Sequence, residues 1–269
     1  MWATSRLSST DGMDGRDLQS AINEVNAVIP GYTHDCESLM RLVTAVLSHW
    51  LTSDHKRAVL AQCNVAIEHY RGILVLVRQK LGLPAEGLAR NLFELAITTI
   101  YLAKHEELLD DFTDYGTKIH YDVLSATLPK LLAQNKSLVY ELQLRKREHQ
   151  QLDVHFGAKS WHRRRIREIA EETGFAPLYK TFYKAASSIA HGDSFILIRR
   201  RHLRLWTLEI NPEQWDAYIE VAARFSYLMM ANLFEQVNVS LQLGHDQEMI
   251  ALQAYIKTHP EYEIPVELQ

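Results

Sequence analysis

Tyr183, Ser187 and His191 recur every four residues in the stretch 179–193, YKTFYKAASSIAHGD, and Lys184 stands seven residues before the histidine. On a helix that spacing projects all four from roughly one side. It gathers a phenol, a hydroxyl, an ammonium and an imidazole. His191, whose ordinary pKa of about 6.5 lets it take and give protons at neutral pH, is the acid or base of the group, and Lys184 would stabilise a phosphate. A serine hydrolase is disfavoured: Ser187 and His191 would have to meet across one helical turn, and no third residue is identifiable to orient the ring. The competing reading is helix packing, because Ala185, Ala186, Ser188 and Ala190 are small enough to admit a neighbouring helix.

Arg90 and Glu94 form the second constellation, set in the apolar run RNLFELAITTIYL. Residues 85–104 spell the most apolar helix of the chain, with Leu88, Leu92, Phe93, Leu95, Ala96, Ile97, Ile100 and Leu102 around much of its circumference. A helix apolar nearly all round is a buried one. Its polar residues Arg90, Glu94, Thr98, Tyr101 and His105 fall on a single stripe. Uncompensated buried charge costs several kcal/mol, roughly 3–5 when one partner of a buried pair is removed, so such residues persist inside only when paired. Arg preceding Glu is the weaker local order, which points to partners on another helix. The expectation is that helix 85–104 lies buried beside helix 179–191, with Arg90 and Glu94 in reach of Tyr183, Ser187 or His191 and organising that site.

Basic residues gather on both sides of the central motif: Arg145, Lys146 and Arg147, then Arg163, Arg164, Arg165 and Arg167, then Arg199, Arg200, Arg201 and Arg204. The net charge of -4 and the pI of about 6.4 exclude a uniformly basic chain, so a phosphate-binding surface has to be local. Arg163, Arg164, Arg165, Arg167, Arg199, Arg200 and Arg201 are the candidates for binding RNA or another phosphate-bearing ligand, with Trp161, His162 and Trp206 available to stack on bases. Against this stands an ordinary solvated face, paired with Glu148, Glu168, Glu171 and Glu172.

No zinc-protease, ferritin-type, phosphate-loop or EF-hand pattern occurs, so no metal and no cofactor is expected. The two cysteines, Cys36 and Cys63, form neither a CxxC pair nor a cluster with histidine, which argues against a disulfide scaffold and, weakly, for a cytoplasmic setting. The first residues lack the apolar core of a signal peptide, and the apolar windows are too short for a membrane span.

Positioning these groups falls to helices. Helical periodicity covers 18–29, 35–50, 58–80, 85–104, 106–124, 129–150, a short basic helix at 160–172, 177–191, 212–243 and 246–257. The segment 195–210, FILIRRRHLRLWTLEI, alternates enough to allow one small extended hairpin. The fold class is all-α, an irregular multi-helix bundle, with one domain over 18–258 between a flexible lead, 1–17, and a loose tail, 259–269. The residues leave open whether the chain is an enzyme. A non-catalytic scaffold is the alternative, with the small residues of helix 179–191 and the apolar face of 215–237 forming a homodimer or partner interface.

Three short motifs add a resemblance: R-N-L-F-E at 90–94, W-H-x-x-x-I-R-E-I-A at 161–170 and Y-x-x-x-S-x-x-x-H-G at 183–192. In this order they resemble the bacterial family known as domain of unknown function 5677, over about 54–192. The resemblance implies a helical bacterial protein and defines no activity. The S-x-x-x-H-G-D end is also faintly similar to HEPN ribonucleases, helical proteins of toxin–antitoxin and phage-defence systems whose motif places an arginine four to six residues before a histidine. Here Lys184 replaces that arginine, and Ala185 the polar residue after it.

Overall fold

The computed structural model describes residues 15–48, 53–127, 136–157, 160–190 and 212–258. Helix α1 (Gly15–Asn26) and α2 (Tyr32–Leu47) are joined through Gly31, whose φ of 87° is a left-handed conformation that glycine adopts without strain. Helix α3 (Asp54–Arg78) starts after Ser53, which has extended backbone, and Asp54 sits favourably in the first turn. Helix α4 (Gly82–Lys104) follows. A short 3-10 turn (Glu106–Leu108) leads into α5 (Leu109–Thr127), and then come α6 (Lys136–Phe156) and α7 (Ile166–Glu172). One α turn (Ala176–Leu178) and a π-helical turn (Tyr179–Tyr183) run into α8 (Lys184–Ala190). The long α9 (Pro212–Leu241) and α10 (Asp246–Lys257) complete the order. No strand occurs among the described residues. The expected hairpin at 195–210 lies outside them.

Helix α4 is the axis of the bundle. It packs against α3 and α9 along its length and also meets α7 and α8. Leu92, Phe93, Ala96, Ile97, Ile100 and Leu102 are all fully buried, which is what an apolar circumference demands. Helix α10 lies on α2, while α5 and α6 form an antiparallel pair. That pair is laced by polar rungs: Lys118 reaches Asp122 at 3.0 Å and Asp153 at 3.3 Å, and His149 Nε2 donates to Asp122 at 2.7 Å.

Three boundaries differ from the periodicity. Helix α1 opens at Gly15, inside the stretch expected to be a lead. Gly82 and Pro84, expected to separate two helices, both lie in the first turn of α4, where proline's missing N–H leaves no intrahelical bond unmade. The basic helix expected at 160–172 begins only at Ile166, because Arg163 has a φ of 51° that no α-helix tolerates. No described helix is long and apolar enough to cross a membrane. Cys36 and Cys63 are buried free thiols, each pushed up to about 12 by that burial.

At one end of the bundle, neighbouring residues of α3 close two other helices. His55 Nε2 donates to the Leu102 carbonyl at 2.7 Å, and Lys56 Nζ to the Leu241 carbonyl at 2.8 Å. These are carbonyls that the last turns of α4 and α9 would otherwise leave without partners.

The seating of α4 on α9 generates a paired test. A methyl group at Gly82 would lie 2.7 Å from Tyr218 Cβ and 3.3 Å from the Ile219 backbone nitrogen, whereas one at Gly87 meets nothing within 4 Å. Denaturant unfolding is expected to show Gly82→Ala destabilised by about 1–3 kcal/mol through overpacking. Gly87→Ala should gain about 0.5–1 kcal/mol from helix propensity. A gain at both positions would contradict this close approach.

Candidate functional site

Along α4 the polar stripe faces the segment 160–190. Arg90 and Glu94 are partly buried, with 16% and 32% of their side chains exposed, and Arg90 Nη2 pairs with Glu94 Oε1 at 2.7 Å. The i,i+4 pair therefore forms within α4 in spite of its weaker order. The other helical segment supplies a phenol rather than an opposite charge: Arg90 Nη2 also donates to the Tyr183 hydroxyl at 3.1 Å, and that hydroxyl donates to Glu94 Oε1. Arg90 Nη1 donates to Asn91 at 3.0 Å, while the buried Nε has no partner among the described residues.

Burial pushes the Tyr183 phenol up, the hydrogen bond and charge of Glu94 push it further, and Arg90 draws part of this back, leaving it at about 12. At neutral pH Tyr183 is thus a hydrogen-bond donor and not a base. Its ring sits in an aromatic column. Phe93, fully buried, lies 5.2 Å away at 35°, and Tyr179 stacks at 5.0 Å and 19°. The Arg90 guanidinium carbon is 5.1 Å from the ring centroid, within cation–π range. Widening the turn from i+4 to i+5 hydrogen bonding brings residues four apart nearly into register, which is how Tyr179 and Tyr183 come to stack. Such π turns inside helices are frequent at functional sites.

Beyond this turn Lys184 is exposed and Ser187 half-buried on α8. Among the described residues neither bonds to Arg90 or Glu94. Arg90, Glu94 and Tyr183 are the candidates brought together, and His191 lies outside the described residues. The spacing did not single out Tyr179 or Lys180, although both lie four residues before a singled-out residue.

The arginine clusters have other engagements. Arg163 binds Asp111 at 3.3 Å and touches His155, Arg164 pairs with Glu172, and Arg167 pairs with Glu171 at 2.8 Å. Arg165 is exposed, and Arg199, Arg200 and Arg201 lie outside the described residues. Trp161, expected to be available for stacking, is instead a core ring, 8% exposed and packed on Phe112 and Tyr101. Burial holds the His162 imidazole below its ordinary value.

At the far end of the same stripe, His105 joins α4 to α7. Its Nδ1 meets Glu107 at 2.8 Å and its Nε2 meets Glu172 at 2.6 Å, an arrangement satisfied on both sides only by the protonated ring. Burial lowers its pKa, and the hydrogen bonds and charges of the two carboxylates outweigh burial and raise it. No group of at least three metal-ligating side chains occurs among the described residues.

The model of a family of unknown function, DUF5677, matches residues 56–207. That match carries no argument for the HEPN resemblance. No curated protein and no solved structure matches the chain.

Two measurements follow from this geometry. In a double-mutant cycle, Tyr183→Phe and Glu94→Gln should show a coupling of about 1 kcal/mol, the scale of a partly solvated charge-assisted hydrogen bond. Additive losses would mean that the phenol and the carboxylate do not interact. His105, raised in the folded state, contributes stability that is fully present below the ordinary histidine value and is lost as pH rises through the folded value. The unfolding midpoint of the wild type should therefore fall more between about pH 6 and pH 8.5 than that of His105→Gln. Equal pH dependence would remove the bridge.

Proposed function

Because the chain belongs to the family of unknown function DUF5677, whose name assigns no activity, we propose a role from its own side chains: it binds a phosphate-bearing ligand, RNA foremost, along the face of Arg90, Tyr183 and Lys184. The observation that carries this reading is the Arg90 guanidinium, mostly desolvated, held by Glu94 and Tyr183, with its buried Nε unpartnered among the described residues. Beside it, Lys180 and Lys184 are exposed and join no ion pair among the described residues. A preorganised planar guanidinium flanked by mobile ammonium groups suits phosphate oxygens, which take the fork of one and the point charge of the other.

Glu94 fixes the fork and offsets its charge, so Lys180 and Lys184 supply the attraction that Arg90 orients. Cleavage, in this reading, would fall to His191 as the proton-transfer group, with Lys184 on the phosphate and Ser187 and Tyr183 hydrogen-bonding around it. The second reading, a non-catalytic interaction protein or homodimer, is favoured by the engagement of Arg163, Arg164 and Arg167 with Asp111, Glu172 and Glu171.

Anisotropy titrations with a fluorescent RNA at about 50 and 200 mM salt separate the two, because counterion release makes phosphate binding fall steeply with salt. Lys184→Ala should flatten the salt slope by about 0.7 for one lost contact to a single strand, and Arg90→Lys should weaken binding without changing net charge. If the RNA binds, His191→Ala should slow any cleavage about 100-fold to 10,000-fold while leaving the circular dichroism unchanged. Absence of RNA binding at low salt leaves the interaction reading in its place.

A further inference from the structure

The aromatic column beside Arg90 runs outward from the core: Phe93 is 0% exposed, Tyr183 is 9% exposed, and Tyr179 is half-buried. Successive rings are 5.2 Å and 5.0 Å apart and become more nearly parallel toward the surface, from 35° to 19°. The inner end is anchored further, since Phe93 contacts Phe225 at 6.2 Å and Phe175 at 6.4 Å. Tyr179 is thus held in place by the π turn below it and by packing against the core cluster. Lys180 follows it in sequence, exposed, and Lys184 stands four residues on, also exposed. A rigid ring at a surface, bordered by unpaired cations, combines the two things a single strand offers a protein: a base face to stack and phosphates to neutralise.

We propose that Tyr179 is the outermost step of a stacking platform, and that the ligand of this face is single-stranded RNA, one base of which continues the column from Phe93 through Tyr183 and Tyr179. This rests on the phosphate-binding reading above and adds the base to it. The base lies over the Tyr179 ring while the neighbouring phosphates meet Lys180, Lys184 and the Arg90 fork. Stacking is blind to base identity, because every base has a π face, so the site tolerates sequence and discriminates by strandedness. Duplex RNA keeps its bases paired and presents ribose and phosphate alone, which this column cannot engage.

The test uses the full chain and three fluorescent RNAs of ten nucleotides: oligo(A), the same ribose-phosphate backbone without bases, and a blunt duplex. Oligo(A) should bind about 5-fold to 150-fold more tightly than the abasic strand, the ratio one stacked base supplies, and more tightly than the duplex. Tyr179→Leu, which keeps an apolar side chain against the core, should erase that ratio while leaving abasic affinity and its salt dependence unchanged. Lys180→Gln should do the reverse, flattening the salt dependence of both strands and preserving the ratio. Equal binding of oligo(A) and the abasic strand by the wild type overturns the stacking platform and leaves phosphate binding intact. Preference for the duplex also overturns it. Failure of every RNA to bind removes both readings together.

Discussion

The polar stripe of α4 is the constraint on which the rest of this structure depends. A helix enclosed by α3 on one side and α9 on another has little solvent left to satisfy charged and hydroxylic groups, and leaving one unsatisfied costs about 1–3 kcal/mol. The chain meets the requirement in order along the stripe. Tyr183 reaches Arg90 and Glu94, Thr98 turns back to the Glu94 carbonyl at 2.7 Å, and His105 is bridged to Glu172. Residues 160–190 are therefore laid along α4 by polar matching as well as by apolar burial. Any chemistry on this face inherits its geometry from that match.

Much of this arrangement was legible in the sequence. The apolar circumference of residues 85–104 identified the central helix, and its single polar stripe pointed to the segment carrying Tyr183. What could not be read were partners remote in sequence. The arginines at 163–167 look like free positive charge when read along the chain, yet the carboxylate that engages Arg163 is Asp111, 52 residues away. Their neutralisation is a tertiary fact. The misplacement of Trp161 has the same origin, since an indole beside arginines reads as a surface ring until Phe112 and Tyr101 are seen to enclose it.

Local conformation hid the rest. Residues four apart are the signature of one helical face, and both α and π turns satisfy it, so the spacing of Tyr179 and Tyr183 could not reveal the wider turn. Nor could it reveal the left-handed backbone at Arg163, which ended the expected basic helix early. Glycine announces such a position, as at Gly31, and arginine does not.

The π turn at Tyr179–Tyr183 has a consequence for how this chain can change length. A π turn accommodates one residue more than the α turn it replaces, and each residue of an α-helix advances its direction by about 100°. Loss of a single residue from this turn would let an ordinary helix form and rotate everything after it by that angle relative to α4. Ser187 would swing off its present side, although no interatomic contact of its own had been altered. Substitutions in the turn affect one side chain each; a deletion there resets the phase of the whole of α8.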